Sequence, residues 1–494
     1  MVLPFKLSSF KSFDSVMFSS MLTLIGLLSF AKTSSAFAAD AQPRPHIVLC
    51  MADDQGWGDV SYNGHPKLKT PELDAMAKAG LRFDRFYAAA PVCSPTRGSV
   101  ITGRHPNRFG CFTWGHTIRP REVTIAERLK QAGYVTGHFG KWHLGEMTAH
   151  SPTSPGQNGF DEWYSSPNFY ENSPLFSHNG TVVKTDGESS MVTVELALKF
   201  IAKAVKSDKP SLTVIWFGNP HTPHVALPEL QKLYPDATKR VQNYYGEIAG
   251  IDRAMGHLRR ELRKLNIAEN TLLWYTSDNG SRPPGSTGGL RGLKGTLWEG
   301  GIRVPTIIEW PARIKKARST SLPANTVDIL PTVLEAAGLK ISDMPHPLDG
   351  ISLIPVIDGK NSVRKKPLGF WVYPARGRPM RSRQILQKLA DSQQKGKITS
   401  PQKQLSRESK IALKQYPLDQ FPGNAAWIDG PYKLHRRVQR SGKATYLLYH
   451  LDQDPKESKD LANQFPDRVK QMKAALAAWQ KSVVNSLNGH DYRK

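Results

Sequence analysis

Four short apolar runs, each closing on polar or charged residues, constrain this chain more than any other feature. HIVLCMADD (46–54) closes on Asp53 and Asp54, and YVTGHFGKWHLG (134–145) on Lys141 and His143. SLTVIWFGNPHTPH (211–224) closes on His221 and His224, and TLLWYTSDNG (271–280) on Asp278 and Asn279. Each run is β-branched or aromatic and stops at turn formers, which marks a buried strand. Helical patterns lie between them. TPELDAMAKAG (70–80) has a Thr cap, a first-turn proline and a closing glycine. TIAERLKQAG (124–133) opens with a capping box, Thr124 and Glu127, and 191–206 and 241–265 are longer amphipathic patterns. The alternation predicts an α/β fold, a large mixed, mostly parallel sheet sandwiched by helices. Such sheets bind ligands beyond the carboxyl ends of their strands. Here four strand ends deliver Asp, Lys, His and Asn together.

The chain has 494 residues and 39% hydrophobic content, a globular composition. Its first 38 residues stand apart. Lys6 and Lys11 precede the apolar run VMFSSMLTLIGLLSF, and Ala36–Phe37–Ala38 supplies a small-residue cleavage pattern. The run is shorter than the ~20 residues of a bilayer span, so 1–38 reads as a secretory signal rather than an anchor. The expected product is exported, periplasmic or extracellular, with no stable membrane insertion. An α/β domain is expected over 39–365. From 366 to 494, LGFWVY, AAWIDGPYKLH and ATYLLYHLDQD read as antiparallel strands followed by a helix near 465–482, a small α+β subdomain. Its stretch 376–424 carries 11 basic side chains against 3 acidic ones. That stretch is either a mobile surface insertion or a basic element that contacts substrate.

Formal charge is +25. A basic exported protein attracts anions: nucleic acid, membrane surfaces or acidic polysaccharide. No zinc finger, helix-turn-helix or RNA-binding aromatic motif is present, so nucleic acid is not an expected partner. Three cysteines exclude a disulfide scaffold. Cys50 lies in a strand run and reads as core, and Cys111 has no partner that the sequence can assign. Cys93 sits in PVCSPTRGSVITG (91–103), a polar setting unusual for a residue that normally packs as a small hydrophobe. It is either a reactive thiol or the substrate of a chemistry that converts it. Asp53, Asp54, Asp278 and Asn279 offer four hard oxygen ligands from two strand ends. That donor set favours calcium, with magnesium also compatible. Without a cation their three negative charges would repel.

PVCSPTRGSVITG contains Cys-x-Pro-x-Arg as Cys93, Pro95 and Arg97, and it resembles the sulfatase marker position by position. GYVTGHFGKWHLG resembles the second marker of that family. MADDQGWGD, SDNG, GLKGTLWEGGIRVP and YHLDQDPKESKDLA resemble further blocks. On these motifs, spread from about residue 45 to about 480, the chain is identified as a member of the type I, formylglycine-dependent, arylsulfatase-like sulfatases of the alkaline phosphatase superfamily. GFDEWYSSPN (159–168) is similar to the arylsulfatase and N-acetylgalactosamine-6-sulfatase branch.

The resemblance implies an alkaline phosphatase-like sheet and a formylglycine made from Cys93 by a separate maturation enzyme. The aldehyde hydrates, one hydroxyl attacks sulfur with the metal favouring its proton loss, and the second hydroxyl lets sulfate depart. By matching positions, Cys93 joins Asp53, Asp54, Asp278 and Asn279 at the metal, and Arg97 holds the formylglycine. His143 accepts the proton during collapse, since imidazole titrates near working pH. Lys141, His221 and Lys294 contact the sulfate, and His221 and Lys141 compete to protonate the leaving oxygen. His224 matches no fixed role, while His138, His150 and Trp142 read as structural. Expected substrates are aryl sulfates or sulfated carbohydrates; export and positive charge fit a sulfated polysaccharide or its oligosaccharides. Two other readings compete. An exported phosphatase or phosphonate monoester hydrolase of the same superfamily is disfavoured by the single metal site and by Cys-x-Pro-x-Arg. A non-catalytic sulfated-glycan-binding protein is disfavoured by the retention of every expected site residue.

Overall fold

A run of residues such as Ile47–Ala52 can be apolar throughout only if both faces of its strand are covered. Both are. Ile47, Leu49 and Met51 point into one hydrophobic cluster, while Val48, Cys50 and Ala52 point into another on the opposite face. The computed structural model describes residues 44–360, 363–396, 414–439 and 441–492. The expected signal segment 1–38 and positions 397–413 of the basic stretch lie outside the described residues.

Among the described residues ten strands form one sheet. At its centre Thr271–Ser277, His46–Ala52, Ser211–Trp216, Val135–Lys141 and Glu162–Ser166 lie side by side, all parallel. Thr306–Glu309 and Leu81–Phe83 extend one side with antiparallel pairing, and Arg318–Thr320 closes that edge. Leu175–His178 and Thr181–Lys184 extend the other as an antiparallel hairpin. The sheet is therefore mixed, with a parallel centre. Helices Ile125–Gln131 and Ile329–Ala336 cover one face. Helices Ser189–Lys206 and Lys239–Lys264 cover the other.

The Thr124 capping box forms as expected: the Thr124 hydroxyl accepts the Glu127 amide, and Glu127 accepts the Thr124 amide at 2.7 Å. The Thr70 cap does not. The Thr70 hydroxyl turns to Ser61 and Asp74, leaving the first turn of Pro71–Ala79 without it. Asp252 from helix Lys239–Lys264 caps that turn instead, accepting the amides of Glu72 and Leu73 at 3.2 and 2.8 Å. A carboxylate supplied by packing replaces the local hydroxyl at these orphan donors.

Strands Leu368–Trp371, Ala425–Asp429, Tyr432–Val438 and Ala444–His450 form a second, antiparallel sheet, with helix Pro466–Leu487 packed against it. Arg108 ties that helix to the main body. Its guanidinium grips Asp349 in bidentate fashion at 2.6 and 2.8 Å and reaches the Ser482 carbonyl and the Ser486 hydroxyl. Burial pushes the Asp349 carboxyl up, but Arg108 and the His105 amide more than offset that and hold it below the ordinary range. A depressed folded-state pKa contributes stability above the unfolded value of about 3.9 that is lost as pH falls below it. Asp349→Asn is therefore expected to lower stability at pH 7 by about 3–5 kcal/mol, the cost of leaving Arg108 buried and unpaired. Thermal unfolding between pH 7 and pH 3 should show the gap to the parent closing below about pH 4. A gap independent of pH would refute the assignment.

Cys50, Cys93 and Cys111 are all free and buried. No described helix is long and apolar enough to cross a membrane.

Candidate active site

Val92 is extended, and helix Cys93–Thr102 starts immediately after it, so Cys93 is its first residue. Every residue of this helix is buried. The Thr96 hydroxyl bonds the Ala90 carbonyl at 2.8 Å, and the Ser94 hydroxyl accepts the Gly115 amide at 2.9 Å, fixing the entry turn. Gly98 lies so close to the Phe109 ring that a Cβ there would stand 2.9 Å from it.

The four predicted strand ends meet over this helix start. Cys93 Sγ is 3.5 Å from Asp53 Oδ1 and 3.8 Å from Asp54 Oδ1. Lys294 Nζ is 3.3 Å from the same sulfur and 2.5 and 2.7 Å from the two Asp54 oxygens. Lys141 Nζ donates to Asp53 Oδ2 at 2.6 Å. Arg97 donates to Asp278 Oδ2 at 2.7 Å and to the Lys141 carbonyl at 3.1 Å, with its guanidinium 5.1 Å from the Trp216 ring centre. Asn279 Nδ2 donates to Asp54 Oδ1 at 2.8 Å, and His221 Nε2 lies 3.8 Å from Asp54 Oδ2. Asp54 and His143 both take left-handed backbone, with φ of 69° and 55°, which is uncommon outside glycine and concentrates at functional sites.

Three carboxylates and three cations thus share one buried cluster. Burial pushes Asp278 up to about 6, and Asp53 adds to it, despite Arg97 and Lys141. Burial also raises Asp54, but Lys294, His221 and Lys141 more than offset it and hold its carboxyl low. The Cys93 thiol is pushed far up, first by burial and then by Asp278 and Asp53, against the pull of Lys141 and Lys294. A thiol held protonated in this way is a poor nucleophile in its own right. His143 is buried, neither ring nitrogen has a partner among the described residues, and burial with Lys141 and Arg97 drives its pKa well below 6.5. Its imidazole is neutral, with a lone pair free to accept a proton. Burial takes His221 to about 3, with the Asp54 charge opposing. His221 Nδ1 donates to the Thr222 carbonyl at 2.6 Å, which leaves Nε2 as the free nitrogen.

Lys294 comes from a Gly-rich loop with a rigid base. Glu299 and Glu457 share the buried Lys433 ammonium at 2.8 and 3.1 Å, and the Glu299 amide donates to Glu457 at 2.7 Å. These contacts bind GLKGTLWEGG to the C-terminal YHLDQDPKESKDLA block. His224 sits apart from the cluster, edge-on to Tyr244. His138 is core, bonded to Ser165 and packed edge-on against Trp142 and Trp216, and His150 is exposed.

The cluster opens into a cavity of about 640 Å³ reaching Asp54, Cys93, His143, His221 and Lys294. Its outer wall includes Trp114, Asn168, Phe169 and Arg282, which the sequence did not single out, and Met380 and Arg381 from the basic stretch 376–424. The Sulfatase family model matches residues 45–339. This chain belongs to the sulfatase family. A second model, N-sulphoglucosamine sulphohydrolase, C-terminal, matches residues 293–388 of this sulfatase. The N-acetylgalactosamine-6-sulfatase of Canis lupus familiaris is 34% identical over 386 residues, 70% of this chain and 72% of its own. An ulvan-active sulfatase of Formosa agariphila is 32% identical over 63% of this chain and 65% of its own. Ps i-CgsB, solved in complex with k-i-k-neocarrahexaose, superposes with a TM-score of 0.72 at 25% identity, covering 88% of this chain and 93% of that one.

The residues present in this sulfatase fit a hard divalent cation. Asp53, Asp54 and Asp278 are buried oxygen donors from adjacent strand ends. Asn279 Oδ1 is buried with no hydrogen-bond partner among the described residues, the state of a carbonyl kept for a ligand. Donor atoms of Asp53, Asp54, Cys93 and His221 also lie within 4.8 Å of one another, so the Cys93 side chain borders the same point.

Proposed function

We propose that this sulfatase hydrolyses sulfate esters of a sulfated carbohydrate in an exported setting, using a formylglycine generated from Cys93 and a calcium or magnesium ion. The observation that carries this reading is the position of Cys93. It lies between the oxygen ligands and Lys294, at the floor of one open cavity, with its own thiol held protonated. Polyanionic sugars are also the partners that the +25 charge would draw in.

Asp53, Asp54, Asp278 and Asn279 would hold the cation, which supplies Lewis acidity and a nucleophile activated at neutral pH. The formylglycine would supply a carbon able to carry two hydroxyls, one to take up sulfate and one to let it go. Arg97 holds the Cys93 position through Asp278 and the Lys141 carbonyl. Lys141 and Lys294 place two ammonium groups where sulfate oxygens gain charge. His143, with neither ring nitrogen partnered among the described residues, would accept the proton released on sulfate departure; burial, Lys141 and Arg97 hold its pKa well below the working range expected from the sequence, so the negative charge of a bound sulfate has to assist it. His221 Nε2 faces the cavity side of Asp54; it is bare in the neutral ring, so His221 would give a proton to the departing sugar oxygen only as the imidazolium, which the Asp54 charge favours and which competes with Lys141 for this role.

The last assignment has a distinct signature. A sugar alkoxide leaves poorly without a proton, whereas a nitrophenolate leaves without help. His221→Ala is expected to lower kcat by about 10²–10⁴-fold on a sugar sulfate and far less on a nitrophenyl sulfate. Equal losses on both substrates would transfer the donor role to Lys141. For the metal, chelator should abolish activity and calcium should restore it, and the metal-free protein should melt at lower temperature. Full activity after chelation would refute the ion. The decisive test is the mass of the tryptic peptide Phe86–Arg97 from native protein. An aldehyde or its hydrate at position 93 supports the reading, and an unmodified thiol in active enzyme overturns it.

A further inference from the structure

Phe169 and Arg381 each line two cavities. One is the 640 Å³ cavity over Cys93; the other, about 320 Å³, adjoins it and is bounded also by Glu171, Pro223 and Arg383. The segment 374–384 forms their common wall, since its first part lines the one and its last part the other. This wall is fixed in place. The Arg378 amide donates to the Trp114 carbonyl at 3.1 Å, and His116 Nε2 lies 3.1 Å from the Arg376 carbonyl. The buried Asn168 clamps the far end: its amide donates to the Ser382 hydroxyl and its Nδ2 to the Met380 carbonyl, both at 3.0 Å. Those two bonds bracket Arg381 and hold it where the cavities meet.

Arg381 and Arg383 are exposed at the cavity rim, and among the described residues neither has an ion-pair partner. Glu171 is the one acidic side chain among the lining residues of the second cavity, and it pairs with neither arginine. Among the described residues the pocket therefore presents two guanidinium groups without a paired carboxylate beside an aromatic ring. Phe169 is itself stacked on His221, with ring centres 4.5 Å apart and planes inclined by 13°. A group seated against Phe169 in the second cavity is thus next to the point where the leaving oxygen departs.

We propose that the second cavity is a subsite for the neighbouring sugar of an oligosaccharide, selected by a second anionic group on that sugar, a sulfate or a carboxylate. The inference rests on the sulfated-carbohydrate reading and deepens it: the enzyme acts on polyanionic oligosaccharides in preference to isolated sulfated monosaccharides. Guanidinium pairs oxyanions of either kind in bidentate geometry, and the planar ring offers an apolar face to the sugar.

The test is calorimetric titration of Cys93→Ala protein, which binds without turnover, with and without Arg383→Ala. Four probes are needed: a monosulfated monosaccharide, and sulfated disaccharides whose second sugar is neutral, carboxylated or sulfated. The expected result is at least tenfold tighter binding of the doubly anionic disaccharides, an advantage that Arg383→Ala removes. In the active enzyme, Arg383→Ala should lower kcat/KM for those disaccharides relative to an aryl sulfate by a similar factor. Whichever second anion gives the larger gain names the group that is read. Equal affinity for neutral and anionic neighbours, with the monosaccharide still bound, overturns the subsite and leaves the sulfatase reading intact. Failure of every sulfated sugar to bind, with aryl sulfate still hydrolysed by the parent enzyme, overturns the carbohydrate reading and the subsite with it.

Discussion

Cys93→Ala is expected to lower sulfate release by at least about 10⁴-fold while the protein stays folded. Removing the nucleophile of a catalytic unit costs on the order of 10⁴–10⁶ in kcat, because its partners cannot act without it. Here those partners are arranged around one atom: Lys294 at 3.3 Å and Asp53 at 3.5 Å from the sulfur, with Asp54 beyond. The fold does not depend on that atom in the same way. Among the described residues the polar contacts of the sulfur are these long ones, and the helix that begins at Cys93 is held by Thr96, Ser94 and its packing around Gly98. Deleting one buried sulfur costs about 1 kcal/mol, typical of a small truncation. Sulfate assay and thermal unfolding of the same preparation separate the two effects. Turnover within tenfold of the parent would eliminate Cys93 as the precursor of the nucleophile.

Arg97→Ala is expected to damage both activity and stability. Arg97 is fully buried, donates to Asp278 and the Lys141 carbonyl, and lies 3.6 Å from Asp53. Its removal leaves two buried carboxylates facing each other with one cation fewer. Truncating one partner of such a network costs about 3–5 kcal/mol, and misplacing the residue it positions costs about 10²-fold or more in rate. Calcium should recover part of the lost melting temperature, because the ion offsets the same charges. Arg97→Lys keeps the charge but cannot reach two partners in fork geometry. It should fall between the parent and Arg97→Ala in stability. If Arg97→Ala melts within 1 °C of the parent, the network does not carry the cluster.

Much of this site is legible in the sequence because the strands are covered on both faces. Such strands read as unbroken apolar runs, and the residue at which each run stops is the residue that reaches the site: Asp53, Lys141, Asp278. Helix 93–102 is the counter-example. Cys-Ser-Pro-Thr-Arg-Gly contains poor helix formers, and a helix buried on all sides has no amphipathic period to detect. Its chemistry was readable only by resemblance. The Thr70 cap failed for another reason, since local spacing cannot know that Asp252 arrives from a distant helix. The same limit hid Phe169, and it left Arg381 inside a stretch, 376–424, whose two readings the sequence could not separate. Their place at the cavity follows from hydrogen bonds between Asn168 and residues more than two hundred positions away.

The groups that would handle sulfate all come from residues 53 to 294, whereas the wall carrying Trp371, Met380 and Arg381 comes from chain made afterwards. The earlier stretch also supplies part of the rim, through Trp114, Phe169 and Arg282, so the entrance is built jointly by two distant parts of the chain. Asn168 and Phe169 couple them, since the first holds Ser382 and Met380 while its neighbour stacks on His221.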